Sequence, residues 1–186
     1  RAGPLRHTIE RLVPARSFDE LRSPLTVTAT DAQSGELVLF GAGGRSDVPL
    51  HAVLYASCAL PMYYPPADID GRSYVDGGLR AVFPLRVAAA EHPDLLYAVY
   101  AGPSRRQRTA LPPDRLRVLG AHDNALRILM AAQAEAELAA YGNGVPLVLV
   151  RPPLDARATF AVENAMRYVE EGYRAGAAAL EDWSNR

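Results

Sequence analysis

Gly71-Arg72-Ser73-Tyr74-Val75-Asp76-Gly77-Gly78-Leu79 is the stretch that decides how this 186-residue chain is read. Tyr74-Val75 has the composition of a short strand, Asp76 ends it, and two glycines follow. Glycine at such a point permits a sharp exit and lets a neighbouring backbone come close. A carboxylate at a strand end beside open space can reach a reacting hydroxyl. To serve as a base near neutral pH it needs burial to lift its pKa from roughly 3.9. Asp-Gly is also a common turn dipeptide, and on these residues alone a plain turn is the simpler account.

Upstream lies Ala56-Ser57-Cys58-Ala59-Leu60-Pro61, the end of a helix expected from Val48 to about Cys58. Asp47 reads as its N-cap with Pro49 in the first turn, and Pro61, Pro65 and Pro66 stop it. Earlier still, Leu25 to Thr30 alternates β-branched residues as a strand does, Asp31 to Gly35 is a turn by composition, and Glu36 to Phe40 is a second strand. The two form a hairpin closed by Gly41-Ala42-Gly43-Gly44, and a short helix is expected over Leu5 to Leu12. Downstream, Pro84 opens a helix to about Glu91, and Leu95 to Tyr100 reads as a buried strand. A long helix or two joined helices follow over Leu116 to Tyr141, with His122, Asp123 and Asn124 as a helix entrance. Val145 to Val150 is a second buried strand, and Asn164 to Trp183 the final helix. Strands alternating with helices predict an α/β layered fold.

Hydrophobic residues make up 49% of the chain and charged residues 22%, enough for one domain with a real core. The 20 basic residues, all arginine, nearly balance 21 acidic ones, so the basic excess of a nucleic-acid surface is absent. Without lysine, Schiff-base chemistry, Ser-Lys dyads and phosphate-loop lysines drop out. Cys58 stands alone, which suits a reducing cytoplasm, and reads as a small buried hydrophobe. His7, His51, His92 and His122 show no metal-ligand spacing, and no metal or cofactor is expected. No stretch approaches the roughly 18 apolar residues of a membrane span, and no signal peptide is visible. Arg105, Arg106 and Arg108 read as a solvated loop first and as a contact for phospholipid head groups second.

In their order and spacing these pieces resemble the patatin-like phospholipase family over nearly the whole chain. Ser17-Phe18-Asp19-Glu20-Leu21 with Pro24 to Asp31 is similar to the family's segment after its nucleophile helix. Ala56 to Pro61 is similar to its ASxAxP helix end, Tyr74 to Gly78 to its D-G-G/A motif, and Gly172-Tyr173 with Ala175 to Leu180 to its closing helix. The resemblance implies a three-layer α/β/α fold with a mostly parallel central sheet, of which residues 1–186 would be the C-terminal portion of a single domain. It also implies hydrolysis of carboxylic esters in lipids by a Ser-Asp dyad. Asp76 would accept the serine's proton and later help water attack the acyl-enzyme, with Gly77 and Gly78 keeping the approach clear. Met62 and Tyr63, with Tyr64, would line an acyl-chain channel, core packing being the equal alternative.

The family's G-x-S-x-G elbow is not found: none of Ser17, Ser23, Ser34, Ser46, Ser57, Ser73, Ser104 and Ser184 has glycine at both flanking positions. Gly41 to Gly44 imitates the family's glycine-rich oxyanion turn but follows the Thr26 strand where that turn should precede it. Val82 stands where the family often has asparagine ahead of the motif's proline, here Pro84. With Arg1 at the front, the expectation is that an N-terminal portion of the same domain supplies the serine. The implied partners are that portion, a lipid or ester substrate and a peripheral membrane surface, with no nucleic acid. A non-catalytic remnant or interaction module is the alternative. A weaker reading makes Asp76 half of a carboxylate pair with Asp31, as in a glycosidase.

Overall fold

In a computed structural model, which describes residues 3–102, 117–142, 144–154 and 162–185, the alternating stretch Thr26–Asp31 forms β1 and Leu37–Gly41 forms β2. The connection is the expected turn: the Asp31 carboxylate accepts from the amides of Gln33 and Ser34 at 2.8 and 3.0 Å. Gly35 takes the left-handed conformation at φ 71°. The chain divides into two compact units, residues 1–82 and 83–186.

The first unit holds a four-stranded sheet in the order β2-β1-β4-β3, with β3 over Ala67–Ile69 and β4 over Arg72–Asp76. Every pairing in it is antiparallel. The expectation of a mostly parallel sheet is therefore not met here, for a steric reason. Strands joined by short turns can only lie antiparallel, whereas parallel neighbours need a crossover of a dozen residues or more. The β3–β4 turn is Asp70-Gly71, both with positive φ (52° and 76°), which is the two-residue hairpin chemistry that matches strand twist. β3 was not expected: three residues are too few to show alternation.

One face of the sheet presents Val27, Ala29, Phe40 and Tyr74 to α2 (Leu50–Ser57), which contributes Val53, Tyr55 and Ala56. Phe40 and Tyr74 meet edge to face at 5.3 Å between ring centres. Leu5 and Ile9 of α1 (Gly3–Leu12) pack on the same cluster. Each such side chain taken fully out of water contributes roughly 1.5–3 kcal/mol. Asp47 does not cap α2. It pairs with Arg45 at 2.7 Å, and Arg45 also reaches Asp70. The helix instead starts after Pro49, and the Leu50 amide donates to the Arg16 carbonyl at 2.9 Å. A short helix α3 (Gly78–Ala81) closes the unit.

In the second unit, α4 (Leu85–Ala89), β5 (Leu96–Val99), α5 (Arg117–Tyr141), β6 (Leu147–Val150) and α6 (Ala165–Ser184) alternate. β5 and β6 are parallel, the only parallel pair of strands among the described residues. Arg86 ties α4 to α5, its guanidinium 2.8 Å and its amide 3.0 Å from the Glu137 carboxylate. Val148 and Val150 are buried as expected, but Tyr97 and Val99 are exposed, so β5 is not the buried strand its composition suggested. His122, Asp123 and Asn124 lie inside α5 rather than at its entrance.

Gly41 sits at φ 87°, where a Cβ would overlap the Leu25 carbonyl oxygen and the Phe18 ring. Gly35 has comparable φ but open space around it. Gly41→Ala is expected to cost about 2–4 kcal/mol through strain plus overlap. Gly35→Ala should cost about 1 kcal/mol through strain alone. Urea unfolding monitored by circular dichroism checks the difference.

Candidate functional site

The site is built where β4 runs out beside β1. Asp76 pairs with Ala29 across the ladder, and the Thr30 hydroxyl donates to the Asp76 carbonyl oxygen at 3.0 Å. From the other side, the Asp76 amide donates to the Ala59 carbonyl at 3.1 Å, joining the strand end to the end of α2. Alternation puts Arg72, Tyr74 and Asp76 on one face, and Tyr74 belongs to the core cluster. The carboxylate therefore continues a core-facing row and is partly withdrawn from water.

Gly77 is glycine for reasons of space. Its φ is −61°, open to any residue, but a Cβ there would overlap the carbonyl and hydroxyl oxygens of Thr28. The backbone of the motif thus passes against β1 closer than any side chain allows. Gly78 contributes its amide, which donates to Asp76 Oδ1 at 2.7 Å. The second carboxylate oxygen carries no protein hydrogen bond among the described residues. One oxygen is held and the other is left to accept.

Burial pushes the Asp76 carboxyl above its ordinary value of 3.8, and the Gly78 hydrogen bond offsets part of that rise. The direction is the one a base needs. Asp31 shows the opposite balance. Hydrogen bonds from the Ser34 and Gln33 amides hold its carboxyl low, and its oxygen is occupied in closing the hairpin turn. It is a turn residue with nothing in its geometry to make it a catalytic partner.

Cys58 is exposed, contrary to expectation. Its thiol nevertheless lies among enough protein atoms, and near enough to Asp76, to be raised in pKa, chiefly by loss of water and then by the neighbouring charge. That keeps it protonated and a poor nucleophile. Met62 and Tyr63 are exposed at 55% and 38%, which removes the core-packing alternative for both, whereas Tyr64 packs on the core. Met62 holds φ 72°, and the Tyr63 and Tyr64 amides both donate to the Leu60 carbonyl, so the turn presents the pair outward. That turn begins at Leu60, next to the Ala59 carbonyl that holds Asp76.

The Gly41 to Gly44 turn offers no oxyanion cradle. Its Ala42 amide donates to Leu25, the Gly43 amide to the Thr26 hydroxyl and the Gly44 amide to Gly41, so these donors are spent on the hairpin. Arg105, Arg106 and Arg108 lie outside the described residues. Among those described, no cluster of His, Cys, Asp or Glu is arranged to hold a metal ion, and no helix is long and apolar enough to cross a membrane. Residues missed in the sequence are Thr28, Thr30 and Ala59, which hold the motif through backbone contacts.

Residues 1–89, which hold this acid-ended strand and the helix end beside it, match the model of the family described as patatin-like phospholipase. The patatin-like character of this segment is thereby established, and the D-G-G motif and the ASxAxP-like helix end both fall inside it. Among curated proteins, uncharacterized NTE family proteins of Mycobacterium bovis and Mycobacterium tuberculosis are each 34% identical over 110 residues. That stretch takes in 56% of this chain but 29% of each relative, so the chain matches well under half of their length.

Because its pKa is raised on folding, Asp76 binds its proton more tightly in the folded chain. It therefore weakens stability progressively as pH rises through and above 3.8, and costs nothing well below it. Asp76→Asn keeps the oxygen that accepts from Gly78. It is expected to raise the melting temperature near neutral pH, with the gain shrinking to nothing as pH falls to the ordinary carboxyl range. Melting curves of both proteins across that range check the sign.

Proposed function

We propose that the chain is the Asp-bearing part of a lipid acyl hydrolase that cuts carboxylic esters through a Ser-Asp dyad. The observation that carries this reading is the Asp76 carboxylate, lifted by burial, held at one oxygen by Gly78 and without a hydrogen bond at the other among the described residues. A serine from a segment outside these 186 residues would supply the nucleophile, since no serine in the chain has the glycine-flanked elbow. Asp76 would take the serine's proton as it attacks the ester carbonyl. It would pass that proton to the departing alcohol, then take a proton from the water that attacks the acyl-serine and give it to the departing serine oxygen.

Met62 and Tyr63 would touch the acyl chain, being apolar, exposed and set on the turn next to Ala59. The second unit lends support from a different direction. Parallel strands are normally covered on both faces, yet Leu95, Tyr97 and Val99 of the β5 segment are exposed, as an unfinished sheet would leave them. The missing N-terminal portion of the domain is the expected cover. The match to patatin-like phospholipases and the NTE family relatives favours a lipid ester as substrate, met by peripheral contact with a membrane. A cytoplasmic setting suits the single unpaired cysteine. The rival reading, a non-catalytic remnant, gains from the absence of the serine but leaves the Asp76 geometry without a use.

The natural species containing this sequence should exceed 186 residues or carry a companion chain, and should take a fluorophosphonate label on serine. In that species Asp76→Asn should lower hydrolysis of a p-nitrophenyl ester by about 10²–10⁴-fold without lowering the melting temperature. A species of this mass alone that takes no label would favour the remnant.

A further inference from the structure

A groove of about 410 Å³ in the second unit is lined on one side by Leu147, Val148 and Leu149 and on the other by Ala175, Ala178 and Ala179 of α6. Successive residues of a strand point to opposite faces, so three in a row can line one groove only where it runs along the strand's edge. β5 occupies the other edge of β6. The Leu96 amide donates to the Pro146 carbonyl at 2.8 Å and the Tyr100 amide to the Val150 carbonyl at 2.9 Å. In a parallel ladder a residue's N–H and C=O point the same way, so Val148 and Val150 face β5, while Leu147 and Leu149 turn theirs to the groove. Among the described residues no strand pairs with that side.

A bare edge of this kind is a template for another extended chain, and folded proteins usually guard it with charge, proline or a bulge. Leu147–Val150 (LVLV) has none of these guards. Beside this edge α6 presents three alanines, with Trp183 further along the same groove, and an exposed sheet edge is where extended peptides add as a further strand. Two charges stand at the groove, Arg151 and Asp182. The Arg151 guanidinium lies over the Tyr100 ring, 5.8 Å from its centre, and neither Arg151 nor Asp182 has an ion-pair partner among the described residues.

We infer that β6 pairs antiparallel with β6 of a second copy of this chain, across a two-fold axis. The incoming strand must be extended and apolar and must bring a positive charge to Asp182. β6 meets all three needs itself, since Arg151 follows directly on Val150. A two-fold arrangement forms the same contact twice, and the two parallel pairs become one four-stranded sheet. The inference does not rest on the hydrolase reading.

Sedimentation velocity of the 186-residue chain tests it. The wild type should be a dimer in the micromolar range. Leu149→Pro removes an outward N–H without touching the bonds to β5 and should weaken the dimer tenfold or more. Val99→Pro, whose N–H points away from β6 on the opposite edge, should leave it intact. If Leu149→Pro loses its fold by circular dichroism, charge exchange decides. Asp182→Arg should weaken the dimer tenfold, and Arg151→Asp combined with Asp182→Arg should restore it. A monomeric wild type, association that does not stop at two, or a dimer indifferent to Asp182→Arg and its exchange partner overturns the inference.

Discussion

Backbone pairing of Ala29 with Asp76, and the contact of Gly77 with Thr28 just beyond it, governs the first unit. β1 is the strand that both β2 and β4 join, so an error in its register would turn Val27 and Ala29 outward and displace Asp76 together with them. Register is secured from three sides. The Thr30 hydroxyl holds the Asp76 carbonyl, the Ala59 carbonyl holds its amide, and the missing side chain at position 77 lets the strands close. The carboxylate is thus placed largely by bonds to its own main chain, and its side chain is engaged at one oxygen only, by the Gly78 amide, among the described residues.

Asp76 and Asp31 make an instructive pair, since both end strands that neighbour each other. Asp31 accepts two amide hydrogen bonds from its own turn and is held low, whereas Asp76 accepts one, so desolvation outweighs it and the carboxyl rises. Strand position alone does not separate a structural acid from a candidate base. The number of amides aimed at the carboxylate, set against the water removed from it, does.

The two units solve the problem of strand edges differently. In the first, short turns after β1 and β3 build two hairpins that join through β1 and β4 into one antiparallel sheet, whose apolar face is covered by α1 and α2. In the second, a crossover containing α5 makes β5 and β6 parallel, and two strands cannot cover themselves. Exposed Tyr97 and Val99 on one strand, and the open edge of the other, are the physical residue of that difference.

Much was legible in the residues. β-branched alternation marked β1, Asp31 to Gly35 marked its turn, and the long helical patterns marked α5 and α6, because each signal is local and repeats along several residues. Asp76-Gly77-Gly78 pointed to the candidate site, because a strand-ending acid before two glycines follows Ala56 to Pro61 in the order the resemblance requires. The cap at Asp47 failed because Arg45 competed for its carboxylate, and β3 escaped because pairing, not composition, makes a three-residue strand. Burial of Tyr97 failed because it depends on what covers the strand. The sequence by itself determined which residues could bend, alternate and carry charge, since those are properties of single residues and their near neighbours. Only the tertiary structure decided which carboxylate loses water, which glycine has no room for a side chain and which strand edge stays open. Those depend on atoms brought together from positions as far apart as Thr28, Ala59 and Asp76, which no local pattern records.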